Sequence, residues 1–162
     1  MDIHIRTRRR YCTLIKQGCL FTIGSSYRSE EEFINLLKEN EITLLIDVRS
    51  KNGSRVLHFD EARFGNLSRM LMLKGIAYDI SLHQTLGGLQ NGSMSLGNFR
   101  NYTRALAFRD ALAALKDKIQ ANEGNTALLC SERDPKQCHR KIIGDELERE
   151  GWHVMHLRDT IG

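Results

Sequence analysis

The sequence predicts a three-layer α/β domain with a five-stranded, mainly parallel sheet. Short apolar runs rich in branched residues recur five times, and stretches of helical period separate them. That alternation supplies the crossover connections that parallel neighbours need, so it points to helices packed against one sheet. A length of 162 residues is close to that of a single domain, and such a chain buries roughly 70% of its unfolded surface without help from disulfides or metal.

Leu20 to Ile23 is the first strand, ending in Gly24-Ser25-Ser26. Ser29 and Glu32 then form a capping box ahead of Phe33, Ile34, Leu36 and Leu37, whose spacing marks one face of a helix. Ile42 to Val48, a branched run broken by Asp47, is the second strand, covered on both faces. A helix from about Asp60 carries Phe64, Leu67, Met70 and Leu71 and stops at Lys74-Gly75, where glycine supplies the C-cap. Ile76 to Ile80 is the third strand. Residues 81–98, with Leu86-Gly87-Gly88, Gly92 and Gly97, read as a long loop of the kind that carries sites. Phe99 to Ala121 sets Phe99, Tyr102, Leu106, Leu112, Leu115 and Ile119 at helical spacing, with a break near Phe108 and an end at Gly124. Thr126 to Cys130 is the fourth strand. Asp134 as N-cap, Pro135 at the first helical position and Gln137 at the third open the last helix, which Gly151 closes before the strand Trp152 to Leu157.

The formal charge is +4, and residues 1–19 carry all of it through Arg6, Arg8, Arg9, Arg10 and Lys16 against Asp2. The chain therefore divides into a basic N-terminal arm or extension, residues 1–19, and a charge-balanced α/β domain, residues 20–162. A domain that follows a phosphate backbone usually spreads its excess charge over a face. Nucleic-acid contact is thus an expectation for Arg6, Arg8, Arg9 and Arg10 alone, beside the plainer reading of a solvated arm. No apolar run approaches the roughly 20 residues of a membrane span, and no signal-peptide core follows the arginines, so a cytoplasmic protein is expected. Cys12, Cys19, Cys130 and Cys138 match neither paired zinc-ligand spacing nor a dense secreted framework, and free thiols are expected. A zinc site drawing on these four, or on His139, would require the two ends of the chain to meet.

In open α/β sheets ligands sit beyond the carboxyl ends of the strands. Those ends are polar here: Gly24, Ser25 and Ser26; then Asp47 and Arg49, with Ser54 and Arg55 following; then Cys130, Glu132 and Asp134. The helix from Pro135 sets Cys138, His139 and Arg140 in its first turns, where free N–H groups favour an anion or a thiolate. The pattern predicts one pocket, with Cys130, Glu132 and His139 as catalytic candidates and Gly24, Ser25, Ser26, Asp47, Arg49, Ser54, Arg55 and Arg140 as ligand-binding groups. Plainer roles stand beside these: a packed thiol at Cys130, a core histidine at His139, an N-cap at Asp134 and an internal ion pair between Asp47 and Arg49.

The run Leu128-Leu129-Cys130-Ser131-Glu132-Arg133-Asp134-Pro135-Lys136-Gln137-Cys138-His139-Arg140 resembles the signature of the family catalogued as domain of unknown function 488. That signature has a Cys, a Glu two residues later, a Pro, and Cys-His-Arg opening a helix. Thr22-Ile23-Gly24, Asp47-Val48-Arg49 with Ser54, Leu86-Gly87-Gly88, and Phe99 with Tyr102 match in the same order, over about residues 20–158. The resemblance implies a Rossmann-like α/β domain. Two positions depart from it: Ser25 stands where the family often has His, so a proton-transfer role does not carry over there, and Asn52 stands where Pro is common. The chain is also similar to rhodaneses and cysteine phosphatases in pairing an Asp-Val-Arg strand end with a Cys before a helix. Dephosphorylation fits poorly, because Lys136 occupies the place of the phosphatase Arg and Glu132 and Asp134 would repel a phosphate dianion. Sulfur transfer depends less on such a clamp.

Three functions stay open at this level. The first is an enzyme acting on a nucleotide, a nucleic-acid component or a comparable polar ligand. The second is a non-enzymatic nucleotide or nucleic-acid binding module, to which the basic arm adds salt-dependent contacts. The third is a metal-binding or structural role for the cysteines. A polar or anionic small molecule is the expected partner, and no motif names a cofactor.

Overall fold

Five strands, β1 (Cys19–Gly24), β2 (Ile42–Asp47), β3 (Ala77–Asp79), β4 (Asn125–Cys130) and β5 (His153–His156), lie in one sheet in the order β3-β2-β4-β1-β5. Every pairing is parallel, as the alternation of strand and helix signals requires. The helices are α1 (Glu30–Glu39), α2 (Leu67–Leu73), α3 (His83–Leu86), α4 (Leu96–Tyr102), α5 (Leu106–Ala121) and α6 (His139–Arg149). This computed structural model describes residues 18–24, 28–48, 67–86, 96–130 and 139–158.

Strand residues alternate between faces, and two cores follow from that. Leu20, Ile46, Val48 and Leu128 pack with Phe99, Phe108, Leu112, Leu115, Ile142 and Ile143 on the first face. Phe21, Ile23, Leu45, Ala127 and Leu129 pack with Phe33, Leu37 and Leu71 on the second. Helices α3 to α6 therefore cover one face and α1 and α2 the other, giving the three layers.

Local chemistry sets the helix ends. The Ser29 hydroxyl accepts from the Glu32 amide at 3.1 Å while the Glu32 carboxylate accepts from the Ser29 amide at 3.2 Å, the expected capping box. Gly75 and Gly151 adopt φ of 75° and 88° and close α2 and α6 with paired bonds: Ile76 and Trp152 amides reach back to Leu71 and Leu147 carbonyls, and Gly75 and Gly151 amides to Met72 and Glu148. The break expected near Phe108 in the helical stretch Phe99 to Ala121 falls earlier, parting α4 and α5 at Thr103 to Ala105. There the Thr103 hydroxyl donates to the Arg100 carbonyl at 2.6 Å, and a tight turn carries the Ala105 amide to Tyr102. The expected loop over residues 81–98 contains α3. Helix α5 ends at Asn122, not at Gly124; Gly124 answers to a close approach, since a Cβ there would stand 2.2 Å from Thr43 Oγ1. The N-terminal arm, the helix start near Asp60, Gly87 with Gly88 and Gly92, and the Asp134-Pro135-Gln137 helix start lie outside the described residues.

The strand order fixes where the topological switch point falls. From β1 the chain passes through α1 on the second face to reach β2, whereas from β4 it passes through α6 on the first face to reach β5. Neighbouring strands whose connections leave to opposite faces open a crevice at their carboxyl ends. Gly24 and Cys130, direct partners in the β1–β4 register, flank that point.

Helix α6 approaches β5 closely, because a Cβ on Gly144 would stand 3.1 Å from Val154 Cγ1 and 3.5 Å from His156 Cε1. Gly144→Val is expected to lower unfolding free energy by about 1–3 kcal/mol in chemical denaturation through overpacking. An unchanged value would mean that α6 does not sit this close.

Candidate functional site at the strand ends

Alternation along β1 turns Thr22, like Leu20, toward the α6 face, and the β1–β5 register sets His156 beside it. Helix α6 brings Arg140 over the same two strands. All of the Arg140 side chain is buried, and its Nε donates to Thr22 Oγ1 at 3.2 Å. Thr22 Oγ1 lies 2.5 Å from His156 Nδ1. Burial, and then the charges of Arg140, Lys141 and Arg158, push the His156 imidazole down to about 4, with Asp145 opposing. The ring is therefore neutral at pH 7, so Nδ1 accepts, the Thr22 hydroxyl donates to it, and the ring proton sits on Nε2. Thr22 thus accepts from Arg140 and donates to His156.

Cys130 ends β4 on this same face by alternation with Leu128, and His139 opens the described part of α6 with its ring stacked on Phe99 at 4.4 Å and 24°. Arg28 is buried beside the end of β1, with its Nε donating to the Gly24 carbonyl at 2.7 Å. Asp47 is fully buried at the carboxyl end of β2, but alternation turns it to the second face, where Tyr78 Oη donates to Asp47 Oδ2 at 2.5 Å. The structure thus gathers Gly24, Cys130, His139 and Arg140 at the carboxyl ends of β1 and β4, with Asp47 at the same end of the sheet on the opposite face. Ser25, Ser26, Arg49, Ser54, Arg55 and Glu132 lie outside the described residues. Sequence reasoning missed Thr22, Arg28 and His156 as site residues. His156 closes a strand whose position beside β1 becomes visible only once strand order is known, and Arg28 directly precedes the capping box.

The cysteines differ from expectation: Cys19 and Cys130 are each disulfide-bonded, so neither is a free thiol. Cys19 pairs in register with His153 at the amino end of the sheet and Cys130 with Gly24 at the carboxyl end, roughly 16 Å apart along the strand direction. They are therefore not bonded to each other, and a four-cysteine zinc site that includes both is ruled out. No group of three or more His, Cys, Asp or Glu among the described residues is arranged to hold a metal ion. No helix among the described residues is long and apolar enough to cross a membrane.

An all-parallel five-stranded sheet with helices on both faces defines a Rossmann-like α/β protein. The family model "Domain of unknown function DUF488" matches residues 29–147, and the chain belongs to that family. No curated protein and no solved structure matches the chain.

Two outcomes follow from this geometry. A histidine whose folded pKa lies near 4 instead of 6.5 leaves the unfolded state binding more protons between those values, so its contribution is complete above pH 6.5 and is lost as pH falls toward 4. After allowance for solvent screening of a partly exposed ring, the stability of wild type relative to His156→Asn should fall by about 1–2 kcal/mol over that window. Denaturant titrations at pH 4.5 and 7.5 read it, and a pH-independent difference would refute it. For Cys130, iodoacetamide should label the native chain only after treatment with a reductant, as peptide mapping would show; labelling of unreduced protein would contradict the disulfide.

Proposed function

We propose that this protein is an enzyme acting on a nucleotide or nucleic-acid component, bound where the carboxyl ends of β1 and β4 meet. The observation that carries this reading is the fully buried Arg140 guanidinium, held by Thr22 at the switch point of the sheet. Burying a guanidinium costs several kcal/mol and adds little to packing that an apolar side chain would not supply. A planar donor fork suits a phosphate or carboxylate. In this reading Arg140 and Arg28 position the anionic part of the ligand, Cys130 is the nucleophile once reduced, Glu132 is the general acid or base, and His139 contacts the ligand.

The second reading, a binding module without chemistry, is favoured by one observation: Cys130 is in a disulfide, and a disulfide sulfur is not a nucleophilic thiolate. Calorimetry of the four ribonucleoside 5′-monophosphates, with and without reductant, addresses both readings. Wild type is expected to bind at least one of them, and Arg140→Lys, which keeps the charge but loses the fork, to bind it about tenfold more weakly. Conversion of the bound nucleotide only in reduced protein supports the enzyme, and binding without conversion supports the module. Absence of binding, or equal binding by Arg140→Lys, refutes the assigned site.

A further inference from the structure

Helices α4 and α6 bound an open groove of about 190 Å³ whose α6 wall runs from Ile142 to Arg149, past the His139 end of that helix. Its charged lining is Arg100, Arg104 and Arg149 against Asp145 and Glu146. Both acids are already paired. Asp145 is bonded to Lys141, and Glu146 accepts from Arg109 at 2.9 Å and from Arg149. Arg100 and Arg104 are exposed and form no ion pair or side-chain hydrogen bond among the described residues. The groove therefore presents two uncommitted guanidinium groups, with the Asn101 amide beside them, on a domain whose charges otherwise balance.

Exposure decides the kind of ligand. An ion pair open to water strengthens binding about fivefold at most, so a lone carboxylate or phosphate would be held weakly here. A ligand that repeats its charge gains at every contact and releases counterions as it does so. Guanidinium forks match phosphate oxygens bidentately, and a nucleic-acid strand carries a phosphate at each residue.

We propose that the groove between α4 and α6 docks the sugar–phosphate backbone of a nucleic-acid strand, with Arg100 and Arg104 on separate phosphates. The groove stands apart from the strand-end site, and only the choice of a nucleic acid over an acidic peptide rests on the nucleotide reading given above. A mononucleotide has one phosphate and gains no second contact there.

Fluorescence anisotropy of a labelled single-stranded dodecamer, read on the full chain at several salt concentrations, tests this. The double variant Arg100→Gln with Arg104→Gln should bind about tenfold more weakly, with a log–log salt slope shallower by about 1.4. Lys38→Gln with Lys74→Gln removes the same charge from exposed positions in α1 and just after α2, on the other face, and should bind as wild type does. Equal losses in the two double variants would overturn the inference, because net charge alone would then be read. Unchanged binding by the arginine variant, or no binding by wild type, would overturn it as well. So would poly-L-glutamate that competes as well as unlabelled dodecamer of equal charge, which would point to an acidic protein partner. Mononucleotide calorimetry separates the two sites: unchanged nucleotide affinity in the arginine variant, with weakened dodecamer binding, supports the groove. A wild type that binds the dodecamer through these arginines but no mononucleotide removes the strand-end reading while the groove stands.

Discussion

A guanidinium removed from water at the end of a strand persists only where the surrounding fold is built to hold it, and Arg140 is such a group. The Thr22 hydroxyl holds it and in turn leans on His156, so three elements, β1, β5 and α6, meet through one oxygen atom. Each participant depends on a separate structural decision. The parity of β1 puts Thr22 on the α6 face, the parallel register puts His156 opposite it, and Gly144 lets the helix come close enough for Arg140 to reach. Burial, and then charge repulsion from Arg140, keep the imidazole neutral, which is the state in which it can accept the threonine proton.

The strand order places this cluster at the switch point of the sheet. Strand β4 lies between β2 and β1, and the connections of these neighbours leave by the second face while that of β4 leaves by the first. That reversal makes a topological switch point, the place where open α/β sheets hold ligands. At the other end of the sheet Asn122 ties Thr43, Gly124 and Thr126 together, and the Gly18 backbone lies against the Trp152 ring.

Much of the architecture was legible because it is written in local patterns. Branched runs marked the strands, and Ser29 with Glu32, Gly75 and Gly151 marked helix ends through chemistry confined to a few residues. The break between α4 and α5 was misplaced because it depends on a hydroxyl–carbonyl bond at Thr103, in a stretch whose apolar spacing runs on through it. Four of the candidate residues, Gly24, Cys130, His139 and Arg140, fall together because a strand end and a helix start announce themselves locally. Thr22, Arg28 and His156 did not, since their roles follow from strand order and register, which no local pattern encodes. The bonded state of Cys19 and Cys130 was equally hidden, because spacing along the chain does not say which thiols meet in space.

The central claim is that the carboxyl ends of β1 and β4 form the ligand site of this DUF488 protein. Amide chemical-shift mapping of the ¹⁵N-labelled chain during titration with a ribonucleoside 5′-monophosphate tests it most directly. The account predicts that the largest perturbations cluster at Gly24, Arg28, Cys130, His139 and Arg140. Perturbations centred instead on Gly18, Asn122 and Trp152, or on the groove between α4 and α6 lined by Arg100, Arg104 and Arg149, would contradict it.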